Sequence, residues 1–415
     1  MKFWVFLVLA FVVLLSSCQI FFLAGVYEEL QDRGIASGGT KNIPNTSSSI
    51  VYIYVSGNGN DANDGLSPST PVRTLVRAME VANDIDSASN VLIKVGSGDY
   101  TPGSGLSSSG SGFVINRPNV IISGGWNIDF SSVVSKSVLD GNNNLYHVVM
   151  IRDVTNVRLE NLVIRGGRAN GSDPDYSGGG IYVSNVSYLV IESNVVIRNN
   201  SASDNGGGVY LRNSQNITIS GSVYNNSANW GGGLYLWYSS NNTISGSVYS
   251  NSANASGGGL YLVYSPNTTI SGSVYSNSAD LGGGLYLNSS KYNTISGSVY
   301  GNSANQYGGG LYLWESTSNT ISGNVYGNSA TNYGGGLYLG YSPNTTISGS
   351  VYGNSATNSG GGVYLNNSDY FTNTGWITNN TVTSLSGSGG GVYTNGSHLN
   401  SSFTNVINNI PNNFN

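Results

Sequence analysis

The 415-residue chain has little charge: Asp, Glu, Lys and Arg make up 8% of it, against about a quarter of an ordinary soluble domain. Fifteen basic and twenty acidic residues leave a net charge of −5, which excludes a nucleic-acid reader built on clustered Lys and Arg. One cysteine excludes an internal disulfide. The two histidines, His147 and His398, have no Cys or His near them in sequence, so zinc is not expected. Low charge does not mean disorder here, because 39% of the residues are hydrophobic. What is abundant is Gly, 59 residues, and Tyr, 29 residues. That composition points to one long object built by repetition.

The N-terminus reads as an address followed by a tether. Lys2 precedes an apolar stretch to Leu15, the pattern of a secretory signal. Leu15-Ser16-Ser17-Cys18 resembles a bacterial lipobox, which assigns 1–18 to a lipoprotein signal peptide and Cys18 to lipidation. A second reading is an uncleaved anchor, since apolar residues resume from Ile20 to Val26. Either reading places the chain outside the cytoplasm and against a membrane, with a surface or outer-membrane position expected. Residues 19–49, rich in Ser, Gly and Asn, read as a linker. Residues 50–100 read as a cap region and 101–415 as the main domain.

Internal repetition decides the architecture. Gly triplets begin at Gly178, Gly206, Gly231, Gly257, Gly282, Gly308, Gly334, Gly360 and Gly389, a period of about 26 residues across 178–395. One unit, GGGLYLWYSSNNTISGSVYSNSANAS at 231–256, contains three short β-prone pieces: Leu234–Leu236, Thr243–Ser245 and Val248–Ser250. Alternation sets Leu234, Leu236, Ile244 and Val248 on one side and Tyr235, Thr243 and Ser245 on the other. So short a unit cannot bury its own apolar side, whereas stacked units can. The expectation is all-β: a right-handed parallel β-helix of roughly 12 coils, three strands to a coil. Its Asn226, Asn251, Asn277, Asn302, Asn328 and Asn354 are placed to form an internal amide ladder. Tyr235, Tyr261, Tyr286, Tyr312, Tyr338 and Tyr364 form a second column, and Tyr224, Tyr249, Tyr275, Tyr300, Tyr326 and Tyr352 a third.

Gly231-Gly232-Gly233-Leu234 and Val248-Tyr249-Ser250-Asn251 resemble the GGA-aliphatic and FxxN motifs of the chlamydial polymorphic membrane proteins, with Gly for Ala and Val for Phe. That resemblance covers roughly 178–410 and implies a β-helix shown at a cell surface, with adhesion as its role. No translocator barrel is expected before Asn415, which leaves a lipid anchor to hold the protein. Residues 51–101 resemble the opening of pectate-lyase-like β-helix proteins: a strand ending in Tyr54-Val55-Ser56, a turn rich in Asn and Asp, a short helix, and another strand. Pro71 to Asn83 reads as that helix, capped by Ser69 or Thr70, with Val72, Leu75, Ala78, Met79 and Ala82 on one stripe. It would cover the open end of the solenoid.

The second resemblance implies two kinds of chemistry: lyases that hold Ca²⁺ with carboxylates, and glycosidases with paired acids. From 213 onward the only charged residues are Asp280, Lys291, Glu315 and Asp369, and no GHG or RIK motif is present. Any polysaccharide lyase or glycosidase site would therefore lie in 129–212, which holds 15 charged residues. There the repeat stacks Glu160 under Glu192 and Arg165 under Arg198. The loop carrying Arg168, Asp173 and Asp175 reads as a wall or a Ca²⁺ site. No cofactor is expected, with Ca²⁺ left open also at Asp61 and Asp64, beside Asn58, Asn60 and Asn63. The competing reading of each cluster is a solvated face or turn chemistry.

The outward columns are the other candidates. The Tyr235–Tyr364 column, with Trp237 and Trp314 nearby, suits stacking of an extended glycan. The Thr218, Thr243, Thr269, Thr294, Thr320 and Thr346 hydroxyl array resembles in kind the ice-binding faces of some β-solenoids, although like-on-like ladders also simply stabilise stacked coils. The reading favoured is a non-catalytic, surface-displayed protein that binds extracellular polysaccharide or a host cell surface.

Overall fold

The computed structural model describes residues 50–399, 405–412 and Phe414. Cys18 and the stretches read from the sequence as a signal peptide and a linker lie outside the described residues. Ser48–Asn415 is one compact unit, a right-handed parallel β-helix of about 12 coils with a single helix among the described residues. A 12-stranded sheet and an 11-stranded sheet form two of its faces, and shorter strands complete the circuit.

A single coil shows why this sequence winds. Gly231 takes φ +62°, a left-handed conformation that Gly adopts freely, and turns the chain into Leu234–Trp237 of the 11-stranded sheet. A corner then leads to Thr243–Ile244 of the 12-stranded sheet, and another to Val248–Tyr249. Leu234, Leu236, Ile244 and Val248 all point inward and are at most 1% exposed. The second and third glycines of the triplet serve close approach. A Cβ on Gly232 would meet the Ser252 carbonyl oxygen at 2.2 Å, and one on Gly233 the Gly259 oxygen at 2.6 Å.

The coil differs from expectation in one respect. A fourth parallel segment, Ser252–Ser256 in this coil, follows Asn251, with equivalents at Ser227–Trp230, Ser278–Leu281 and Ser303–Tyr307. Its Ser-Ala alternation is too weakly apolar to read as a strand. Pairing with the same segment of the next coil makes it one.

The interior is held by hydrogen-bond ladders as well as apolar packing. The amide chain runs from Asn200 through Asn226, Asn251, Asn277, Asn302, Asn328 and Asn354 to Asn380 and Asn409, with Nδ2–Oδ1 distances of 2.9–3.1 Å. A serine ladder occupies another corner: the Ser239 N–H donates to Ser265 Oγ, Ser265 to Ser290, and Ser290 to Ser316, at 3.0–3.1 Å. Each serine link satisfies a buried backbone donor and each asparagine link a buried side-chain amide.

At the N-terminal end the helix spans Leu75–Asn83, four residues later than the sequence suggests. Val72 is drawn into a parallel bridge with Val55, which prevents the chain from turning helical at Pro71. Thr74 is the cap: its Oγ1 accepts the Arg77 N–H at 3.0 Å. Leu75, Ala78, Met79 and Ala82 are buried against the first coils.

Candidate functional site

In the charged stretch 129–212, the structure stacks the expected residues but does not combine them. Leu159 pairs with Ile191, which puts Glu160 and Glu192 side by side at the C-terminal ends of two neighbouring strands within the 12-stranded sheet. Arg158 bridges both carboxylates, at 3.2 Å to Glu160 and 3.0 Å to Glu192. Ile164 pairs with Ile197 on a different face, and Arg165 there holds Asp140 at 2.8 Å and Asp99 at 3.6 Å. The two glutamates therefore share one arginine on their own face. The arginines read as their partners in chemistry, Arg165 and Arg198, belong to another face. Glu160 and Glu192 thus belong to one ion-pair group with Arg158, and Arg165 belongs to a separate one with Asp140 and Asp99.

The Asn- and Asp-rich turn at 58–64 is likewise committed. Asp61 accepts the Arg73 and Thr74 N–H groups at 2.8 and 2.9 Å and the Thr74 hydroxyl at 3.0 Å. Asp64 accepts the Leu66 N–H at 3.1 Å and Asn60 accepts that of Ala62 at 3.0 Å. These oxygens organise the approach to the helix, and no group of three potential metal-binding His, Cys, Asp or Glu side chains occurs among the described residues.

The loop after the strand Leu162–Ala169 folds onto His147. Its buried imidazole lies with Nδ1 3.0 Å from the Gly178 carbonyl and Nε2 3.3 Å from Asp175 Oδ1. Burial depresses the imidazole below the ordinary His range, while the carbonyl and Asp175 act against that shift. Asp173 faces Arg212 at 3.9 Å, and the Arg212 guanidinium lies 5.1 Å from the Trp237 ring. His398, by contrast, is exposed and pairs with Asp369 at 2.9 Å.

The Tyr235–Tyr364 column projects from the outer face of the 11-stranded sheet but does not form an open platform. Tyr261, Tyr286, Tyr312, Tyr338 and Tyr364 are buried, and Tyr235 is partly so. Trp230, Leu281, Tyr307 and Tyr333, carried by or following the fourth strand segment, lie over them. Tyr307 is 5.3 Å from Tyr338, and Tyr333 is 4.9 Å from Tyr364. Burial raises the phenol pKa throughout the column, to about 12 at Tyr364. A glycan laid on this face would meet the covering side chains, and the column forms a second apolar cluster outside the coil.

The Tyr224–Tyr352 column is a regular stack, with centroids 4.7–4.9 Å apart and interplanar angles of 2–11°. Each ring face is taken by its neighbour, leaving edges and hydroxyls outward. The Thr column is in register from Thr218 to Thr372 along the 12-stranded sheet, half-buried, with Ser245 and its equivalents beside it.

Sequence reasoning passed over another set of rings: Tyr188, Tyr238, Tyr264, Tyr292, Tyr341 and Tyr370, all 46–61% exposed and all at positive φ. They escape a column search because two separate positions of the same corner share them. The available signal was a bulky aromatic inside turns otherwise made of Asn and Ser.

Comparison with known proteins adds the following. A family model described as periplasmic copper-binding protein (NosD) matches residues 161–326. No curated protein matches the chain by sequence. Among solved structures, a pectate lyase aligns at 16% identity over 79% of this chain and 76% of its own, with a TM-score of 0.40. The DFA-IIIase of Arthrobacter chlorophenolicus A6 without its lid aligns at 10% identity over 83% and 92%, with a TM-score of 0.47. The A-module of an Azotobacter vinelandii mannuronan C-5 epimerase aligns at 15% identity over 79% and 95%, with a TM-score of 0.32. The copper in the family description does not fit the residues present. The matched stretch 161–326 contains no His, Cys or Met, the side chains that suit copper.

Proposed function

We propose that this chain is an exported, non-catalytic β-helix protein that binds extracellular polysaccharide or a cell surface through its repeat half. Lipid on Cys18 would hold it to the membrane. The observation that carries this reading is the in-register exterior of the repeats: from Thr218 to Thr372, each strand of the 12-stranded sheet presents a Thr hydroxyl at the same position. Such a surface offers a polymer the same uncharged donor and acceptor once per coil, spaced ~4.8 Å apart. The periplasmic family description supports export, as does the apolar N-terminal stretch. The Arg158 bridge between Glu160 and Glu192 argues against the lyase or glycosidase reading, because it occupies the acids such chemistry would use.

The test is a screen of the full-length protein against pectin, alginate, chondroitin and neutral polysaccharides, with and without Ca²⁺, alongside whole-cell binding. Retention without bond cleavage is expected. Binding to none of the polymers and no cells, or the appearance of unsaturated or reducing sugar ends, overturns the reading. In parallel, fatty-acid labelling should be lost in Cys18→Ala; labelling that persists removes the anchor from the account.

A further inference from the structure

Every coil needs residues with positive φ at its corners. In the turn from the 11-stranded to the 12-stranded sheet two such positions occur. The first passes from Asn213 through Tyr238, Tyr264, Ser289, Glu315 and Tyr341 to Asn367, at φ 46–50°. The second includes Asn267, Tyr292, Ser318, Asn344 and Tyr370, at φ 56–60°. In-register backbone bonds hold successive members, for example Tyr238 N–H to Val263 O at 3.1 Å and Tyr292 N–H to Thr317 O at 3.3 Å.

Asn and Gly adopt this conformation readily, whereas a bulky side chain in it is an outlier. Asn occupies the same corners in neighbouring coils, so the fold does not call for Tyr there. Nor are the rings part of a core: Tyr238 is 52% exposed, Tyr292 61% and Tyr370 58%. Five of the six coils from Tyr238 to Tyr370 carry one such ring, making a file ~24 Å long at the strand spacing. Tyr238 and Tyr264 lie 4.9 Å apart at 17°. Trp237 is 5.3 Å from Tyr238, and Trp314 is 5.1 Å from Tyr341. Strain kept at exposed aromatic positions points to a ligand rather than to stability.

Charge identifies the ligand class. Lys291, Glu315 and Asp369 share this edge, one positive and two negative, with Asp369 engaged by His398. Such an edge favours neither a polyanion nor a polycation. Aromatic rings interspersed with Asn and Ser suit pyranose units, whose C–H faces pack on rings while their hydroxyls take hydrogen bonds. We infer that this turn edge, Tyr238, Tyr264, Tyr292, Tyr341 and Tyr370 with Trp237 and Trp314, is a binding strip for an uncharged, extended polysaccharide. The inference rests on the glycan-binding reading above and names where the glycan lies.

The experiment compares full-length protein with the triple variant Tyr238→Asn/Tyr264→Asn/Tyr341→Asn by affinity electrophoresis in galactomannan and hydroxyethyl cellulose, with Tm measured on both. The strip predicts at least a tenfold weaker interaction in the variant with Tm unchanged or raised, and retained binding when the same three positions are Phe. If the Asn variant binds as the parent does, or its Tm drops by several degrees, the strip is overturned and glycan binding belongs elsewhere on the protein. If the parent binds alginate but neither neutral polymer, the ligand class is wrong while the broader reading survives. If it binds no polysaccharide at all, both fall.

Discussion

The two halves of this solenoid use the same fold with different stabilising chemistry. Before Arg212 the coils are irregular and charged, and their exteriors are tied by pairs such as Arg158 with Glu160 and Glu192 and Arg165 with Asp140. Beyond it, four charges remain and stacked neutral ladders replace the pairs. The difference follows from register. Identical coils place like on like, which suits Asn, Ser, Thr and Tyr and would set equal charges against each other. Irregular coils can offset opposite charges instead.

The strongest way to break this comparison is to cut a ladder. Asn277 donates to Asn302 Oδ1 and the Val248 carbonyl, and its Oδ1 accepts from the Asn251 backbone and side-chain amides. Asn277→Ala is expected to lose about 3 kcal/mol in urea unfolding, because those buried partners are left unmade. A loss under about 1 kcal/mol would show the ladder to be incidental.

The covered tyrosines give the next effect. Their phenols are raised above the ordinary value of 10.0, so the folded state keeps protons that the unfolded chain releases. Their stabilising contribution is complete below pH 10 and declines as pH rises through the raised values. Tyrosinate absorbance and circular dichroism followed together should show these rings ionising only as the repeats unfold; ionisation of all tyrosines in an intact fold would contradict their burial.

A smaller effect sharpens the charged half. The His147 imidazole, depressed by burial from 6.5, binds a proton less readily in the fold than in the unfolded chain. Its contribution is present above about pH 6.5 and is lost as pH falls through the depressed value. His147→Gln should therefore flatten the drop in Tm between pH 7.5 and 5.5; an unchanged drop would assign it to carboxylates. Smallest of all, Arg158→Met should cost about 1 kcal/mol at low salt and less in 1 M NaCl, since the bridged carboxylates are partly exposed. A salt-independent loss would mean that the arginine acts through packing.

Much of the fold was legible because repetition exposes it. The Gly period reports the coil, and the inward Leu-x-Leu, Ile and Val positions report the core. The fourth segment was hidden since Ser-Ala-Asn has no apolar alternation of its own. It becomes a strand by pairing with its copies, and it then covers the Tyr235–Tyr364 rings. Alternation reveals which way a side chain leaves the strand, not what lies over it. The helix start was misplaced because Pro71 is a good first-turn residue locally, while the Val55–Val72 bridge is a long-range contact. In the charged stretch, stacking of Glu160 with Glu192 followed from the repeat. The intervening Arg158 did not, because it comes from the same strand as Glu160 and reaches across coils.

The central claim is that the repeat half recognises an uncharged polymer through neutral side chains without transforming it. Its most direct test is the dissociation constant of the full-length protein for galactomannan at 20 mM and at 500 mM NaCl, with product ends assayed in the same samples. On that claim, the same constant at both salts and no new chain ends are expected. A tenfold or greater weakening with salt, or any accumulation of cleaved product, would contradict it.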